Sequence, residues 1–432
     1  MSNQPRPIFE SYEIFIDQDF SLYEPSMACV RAYIESFEPS VEAHKGYLLA
    51  RNFLRAYSDN SLTFTSYRTH VERLLLWGMI IKRKPFNQLK RQDAEEYLQF
   101  CRHPPADWIG PIVRGRFVTS DHSESTWGEP TMPNEKWRPF SLKASKAVKH
   151  EHEGSENGAP PQYKASQGTI NQVYSISTRF FEYLVEDGAV PGNPFRLIKK
   201  KGMSAGTPQD EGSHRALTPL QWDYVLETAE LMASAEPARH ERTLFILATL
   251  FAMYLRVSDI VGRSNWTPVM GDFRQDPEGN WWYHVIGKGN KAGKIAMRDE
   301  YIEHYLKRYR RFLGLSELPL WDERTPLLTT LSGRSGLSGR QVRALLQAVF
   351  DNALSRMRHE GRQAHEMNSL KAASAHWLRH TSATFDAPLR SAKDLQLDLR
   401  HSNLSTTQNV YYHSHDQQRG KSIKSVPMRD RG

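Results

Sequence analysis

The segment ERTLFILATLFAMYL, residues 241–255, constrains the fold of this chain most. Wound into a helix, it turns apolar side chains in nearly every direction. It has no face to present to water and belongs in the middle of a domain. It is shorter than the roughly 20 residues that a membrane crossing needs, and no apolar stretch of that length occurs in the chain. Arg256 follows at once. A guanidinium at the edge of an apolar core is costly unless something anionic meets it. Asp259 offers one such partner within the chain; an anionic ligand is the other reading.

The 432 residues favour two or three domains. Residues 1–42, with Pro5, Pro7, Pro25 and Pro39, read as an irregular N-terminal extension of unknown role. Helical spacing then places Tyr67, Val71, Leu74 and Leu75 on one face, Ala94, Tyr97, Leu98 and Cys101 on another, and Ile170, Val173, Phe180, Phe181 and Leu184 on a third. Gly188 is placed to stop that last helix. These segments predict a small all-helical domain over 43–198, interrupted by a long proline-rich insertion at 104–165. So long a loop inside a compact domain is usually functional or disordered. Trp108, Trp127 and Trp137 argue that part of it packs on something, PIVRGRFVTS reads as a short hairpin, and KHEHEG as a solvated loop rather than a metal site.

A basic, then Gly- and Ser-rich linker follows at 199–214. A new domain opens at LTPLQW. Thr218 is the N-cap, Pro219 the first helical residue, Gln221 completes a capping box, and Leu217 with Trp222 forms a hydrophobic staple. After the apolar helix the period changes. NWWYHVIGKGNKAGKIAM predicts two strands joined by a Gly- and Lys-rich turn. More helices follow, around 299–313, over RQVRALLQAVFDNALSRMR and over the segment holding HWLRHTSATF.

Lysine and arginine outnumber acids 57 to 49, a formal charge of +8, which suggests a polyanionic partner, most commonly nucleic acid. A basic enzyme without such a partner is the plainer alternative. The two cysteines, Cys29 and Cys101, build neither a disulfide framework nor a cysteine zinc site, so a reducing cytosolic setting fits. The first fifteen residues lack the basic-then-apolar order of a secretory signal.

Four further features carry chemistry. His376 and Arg379 are three apart and share a helix face. Arginine offers a planar fork for two phosphate oxygens, and a neighbouring histidine can donate a hydrogen bond or move a proton. Lys288 sits between glycines at a strand end, where a solvated hairpin lysine is the plain reading; no GxxxxGK[ST] or GxGxxG pattern is present. His401 precedes the adjacent tyrosines Tyr411 and Tyr412. A tyrosine hydroxyl, with a pKa near 10, becomes a nucleophile only when cations stabilise the phenolate or a base takes its proton.

Each signal is weak alone, but their order and spacing together are specific. LRVSDIVG, VIGKGNKAGKIAM, HWLRHTSAT and LRHSNLSTTQNVYYH resemble the signature of the tyrosine recombinases, the phage integrase family. The resemblance implies a mainly α protein. A helical SAM-like core-binding domain would be joined to a mostly helical catalytic domain (215–415) carrying a small antiparallel sheet, the DNA breaking-rejoining enzyme fold, with a tail at 416–432. It implies that Arg256 and Arg379 clamp the scissile phosphate and that Lys288 protonates the leaving 5′ oxygen. His376 and His401 donate hydrogen bonds and move protons, and Asp259 orients its neighbours. The tyrosine attacks to give a 3′-phosphotyrosyl link, with no cofactor, metal or ATP. Tyr411 fits the family's Y-x-H ending with His413 and is the expected nucleophile; Tyr412 would point roughly 100° away on a helix.

The departures are local. Arg400 stands where the family usually has the glycine of LGH, and must be accommodated or serve as another phosphate contact. The interval from Arg379 to His401 is one residue shorter than usual, and that from His401 to Tyr411 one longer. Lys199, Lys200 and Lys201 are expected along the backbone of double-stranded DNA recombination sites. LKRYRRFLG is either another such stretch or a solvated helix face. The resemblance further implies a homotetramer on DNA, tails docking between subunits, and action in the cytoplasm on the DNA of a mobile element; whether accessory proteins take part is not given by the sequence. A type IB topoisomerase-like nicking-resealing enzyme and a catalytically inactive DNA-binding regulator are the alternative readings.

Overall fold

The computed structural model describes residues 4–16, 22, 24–118, 131–142, 163–198, 215–287, 291–334 and 336–401. They fall into two compact units, 1–208 and 209–432, both dominated by helices.

In the first unit the expected helices form at Ser61–Trp77, Arg91–Arg102 and Gln167–Glu186. Their ends are chemically marked. The Asn60 side chain accepts from Leu62 N and Thr63 N at 3.0 and 3.1 Å, and Ser166 Oγ accepts from Thr169 N at 3.1 Å. Gly188, at φ +69°, turns the chain out of the third helix in the left-handed conformation glycine allows. The predicted apolar faces are buried, and Tyr67, only partly buried, stacks on Phe53.

Residues 1–42 differ from the irregular extension expected. They contain helices at Tyr12–Ile16 and Ala28–Glu35, and Ile8 and Phe9 are fully buried. Phe9 stacks on Tyr47 with ring centroids 5.2 Å apart. The anchor is Glu72, whose buried carboxylate accepts from Ile8 N (2.8 Å) and Phe9 N (3.2 Å) and pairs with Arg116 of the insertion. Helices this short carry too few turns for a period to show in sequence.

The insertion also packs on this unit. Ile109–Gly110 pairs in parallel with Phe140–Ser141, and Phe117–Val118 pairs antiparallel with Met132–Pro133. The pairing thus joins distant parts of the insertion and is not the local hairpin expected at PIVRGRFVTS. Trp108 and Trp137 are buried, as expected; Trp127 and KHEHEG lie outside the described residues. Arg73 reaches from the long helix to donate to Pro139 O at 2.7 Å.

The second unit surrounds Pro237–Ala252, whose residues Thr243 to Leu250 are all buried. Pro219–Ala235 packs beside it and starts as predicted: Gln221 N donates to Thr218 Oγ1 at 3.2 Å, and Thr218 N to Gln221 Oε1 at 3.1 Å. The two predicted strands, Trp281–Ile286 and Ala292–Ala296, are joined by a third, Phe273–Gln275, in an antiparallel sheet. Three residues are too few to show alternation in sequence. Helical turns run on through Asp299–Tyr301, Ile302–Leu306 and Lys307–Phe312, near the 299–313 expected, and the helices Gly339–His359, Ala364–Ala372, Ala375–Asp386 and Ala392–Leu399 follow. The basic LKRYRRFLG stretch is partly structural. Arg310 is 1% exposed and forks onto Glu323 at 2.9 and 3.0 Å, while Arg308 pairs with Glu241.

Glu72→Ala removes the acceptor of two buried N–H groups and strands Arg116, so it should cost about 3–5 kcal/mol. The check is a urea titration, with the first unit's transition moving to lower denaturant.

Candidate active site

The apolar helix ends at Ala252, and Tyr254 takes φ 51°, reversing the chain into the short helix Ser258–Val261. Arg256 lies in that turn. Its backbone N–H donates to Asp259 Oδ2 at 2.9 Å, and Asp259 N donates back to Arg256 O at 2.8 Å. The Asp259 side chain is wholly buried. Its carboxylate pairs with the guanidinium of Arg263 (3.3 Å) and with that of Arg400. The simple Arg256–Asp259 salt bridge is therefore absent: among the described residues, the Arg256 guanidinium forms no ion pair.

Arg379 sits on Ala375–Asp386, 2% exposed. Its fork is held by carbonyls, Nη1 donating to Tyr254 O at 2.5 Å and Nη2 to Leu399 O. Neither acceptor carries a full charge. Burial, and then the nearby Arg256 and Arg400, push Arg379 down to about 9. Burial also lowers Arg256, with Arg400 and Arg263 adding to the effect against Asp259. The corner holds more positive charge than the described residues neutralise, which is the property of an anion site.

His376 stands one turn before Arg379, and its ring meets His380 edge to face at 4.6 Å. His401 follows Arg400, with its N–H donating to Gln396 O at 3.2 Å. Burial, then Arg379 and Arg256, hold His401 at about 4; burial, then His376 and Arg379, do the same to His380; His376 is lowered too. All three are neutral imidazoles at pH 7, each with one donor and one acceptor nitrogen. Sequence reasoning does not single out His380; its i,i+4 relation to His376 is the signal that marks it.

Arg400 takes φ 50° at the C-cap of Ala392–Leu399, the left-handed conformation that explains the family's glycine. As a non-glycine residue it carries roughly 1–2 kcal/mol of strain. Its side chain runs along the hairpin. A Cβ at Gly293 would come 3.3 Å from its Cδ, and one at Gly287 would come 3.2 Å from its Nη1. Nη2 of Arg400, a residue expected to be accommodated here or to contact phosphate, pairs with Asp259.

A second polar network fixes these elements to one another. The Tyr254 hydroxyl donates to Asp386, Arg298 Nη2 donates to Asp386 Oδ2 at 2.6 Å, and Arg390 bridges the Tyr254 hydroxyl (3.0 Å) and Asp398 (2.7 Å). Asp398 in turn accepts from Ala296 N of the sheet at 3.2 Å. The structure thus brings together Arg256, Asp259, His376, Arg379, Arg400 and His401. Lys288, Tyr411, Tyr412, Lys199, Lys200, Lys201 and the tail lie outside the described residues. Among the described residues no group of three or more His, Cys, Asp or Glu forms a metal-binding cluster.

Arg400→Gly should destabilise the second unit. Relieving roughly 1–2 kcal/mol of strain does not offset the roughly 3 kcal/mol lost when a buried carboxylate loses a partner; urea unfolding reads the balance. The histidines give a pH signature. Their values lie below 6.5 when folded, so their contribution is complete above that pH and is lost as pH falls from 6.5 towards 4. The melting temperature should fall across that window, and less so in His401→Gln.

No protein-family model matches the chain. It is similar to tyrosine recombinase XerC of Pelobacter propionicus, at 29% identity over 263 residues, covering 59% of this chain and 70% of the relative. It is also similar to XerC of Pediococcus pentosaceus, at 26% identity over 256 residues, covering 57% and 71%. The fold is shared with a XerH site-specific recombinase in a post-cleavage complex with palindromic difH, at a TM-score of 0.52, 14% identity and 99% coverage of both chains. The chain is thus similar in sequence to tyrosine recombinases and shares with a site-specific recombinase a mostly helical fold around a small sheet.

Proposed function

We propose that this chain recombines DNA at specific sites through Tyr411. The hydroxyl attacks the scissile phosphorus, the P–O5′ bond breaks, and Lys288 gives the leaving oxygen its proton. A 3′-phosphotyrosyl ester results. The 5′-hydroxyl of a second strand then reverses the step, and the ester retains the energy of the original bond. Arg256 and Arg379 clamp the nonbridging oxygens and offset the charge that builds on them in the transition state. His376 and His401 donate hydrogen bonds to the same oxygens and relay the tyrosine proton. A homotetramer carries out the paired exchanges, and Lys199, Lys200 and Lys201 track the DNA backbone.

The observation that carries the reading is the uncompensated charge at one corner of the second unit. Among the described residues Arg379 is buried without a carboxylate partner, and Arg256 lies near it with no ion pair. A phosphodiester supplies the missing anion. The imidazole of His401 beside them is neutral at neutral pH and has one donor and one acceptor nitrogen.

The test is covalent trapping on a nicked duplex bearing the recombination site, resolved on a denaturing gel. Wild type and Tyr412→Phe should form the protein–DNA adduct, and Tyr411→Phe should form none. Arg379→Ala should slow adduct formation by roughly 10²–10³. Loss of the adduct in Tyr412→Phe alone would move the nucleophile by one residue. A wild type that binds the site yet forms no adduct would remove the catalytic reading.

A further inference from the structure

The first unit contains a cavity of about 400 Å³ between the N-terminal segment, the Ser61–Trp77 helix and the insertion. Among the described residues four arginines line it, Arg68, Arg114, Arg116 and Arg138, against one acid, Glu72. That acid is already committed to Ile8 N, Phe9 N and Arg116. Arg138 directs one nitrogen to the carbonyls of Glu135 and Trp137, which carry no full charge. Arg68 is 8% exposed, donates to Glu10 O through Nη1, and has an Nε without a hydrogen-bond partner. The described part of the walls therefore carries three more arginines than acids.

We propose that this cavity binds a nucleoside phosphate, with the phosphate held by the arginines and the nucleoside body against the apolar wall. Arginine forks suit phosphate oxygens better than a point charge does. The volume lies within the roughly 300–1,000 Å³ of small-ligand pockets, more than a bare phosphate fills. Ile112, 68% exposed at the rim, together with Val113 and Phe117, supplies the apolar surface for the body. Burial and then Arg116 push Arg68 down to about 10, against Glu72, Glu10 and Glu13; an anion in the cavity would favour its charged form. Such a group comes either from a free nucleotide or from a nucleotide of bound DNA. The proposal does not depend on the chemistry assigned to the second unit.

Hydrogen–deuterium exchange on the full chain separates the sources and localises the effect away from the second unit. Adenosine monophosphate should reduce deuterium uptake in peptides covering 109–117 and 132–141, and adenosine alone should not. Protection by a short DNA duplex but not by the mononucleotide assigns the site to the nucleotides of bound DNA. Arg114→Ala combined with Arg138→Ala, at the solvent-facing side of the cavity, should abolish the protection while leaving the melting temperature unchanged. No protection with either ligand, equal protection by adenosine, or protection that survives the double substitution overturns the proposal.

Discussion

The buried carboxylate of Asp259 is the interaction on which the second unit's chemistry depends. It accepts the backbone N–H of Arg256, one guanidinium from four residues along its own turn, and another from Arg400. Its own carbonyl accepts the Tyr283 hydroxyl from the sheet at 2.8 Å. A carboxylate this buried is stable only when its lone pairs are occupied. Asp259 therefore ties the turn of Arg256, the sheet and the segment leading to His401 together, and its committed oxygens leave the Arg256 guanidinium for something else.

The corner around Asp259 is thereby built to be incomplete. Arg379 is anchored by two carbonyls, which orient it without neutralising it. Nearby Arg256 and Arg400 make its charge costly, and the neighbouring histidines answer by remaining neutral. An anion entering this corner would recover the free energy withheld in this way. The network of Tyr254, Asp386, Arg298, Arg390 and Asp398 keeps the cationic groups from relaxing apart.

The first unit uses the same device. Glu72 is as deeply buried as Asp259 and likewise collects backbone N–H groups and a distant arginine. In both places a single acid organises segments that share no regular secondary structure, and both leave other arginines in excess. The N-terminal residues and the insertion are thereby parts of one core.

Much of this was legible in the sequence because the signals are local. An apolar run with no polar face has to be central, and Thr218–Pro219–Gln221 has to begin a helix. Alternation around Trp281–Ile286 has to make a strand. Arg256, His376, Arg379 and His401, which the fold brings together, stand in the sequence as an ordered set of types. Tertiary structure alone decided which charges neutralise one another. Arg400, rather than Arg256, gives Asp259 its distant guanidinium across 141 residues, and Glu72 captures Ile8 across 64. Periodicity reports neighbours within a turn or a pleat. The choice of partner for a buried charge depends on which distant side chains the fold delivers to it, and on the cost of leaving any of them unpaired.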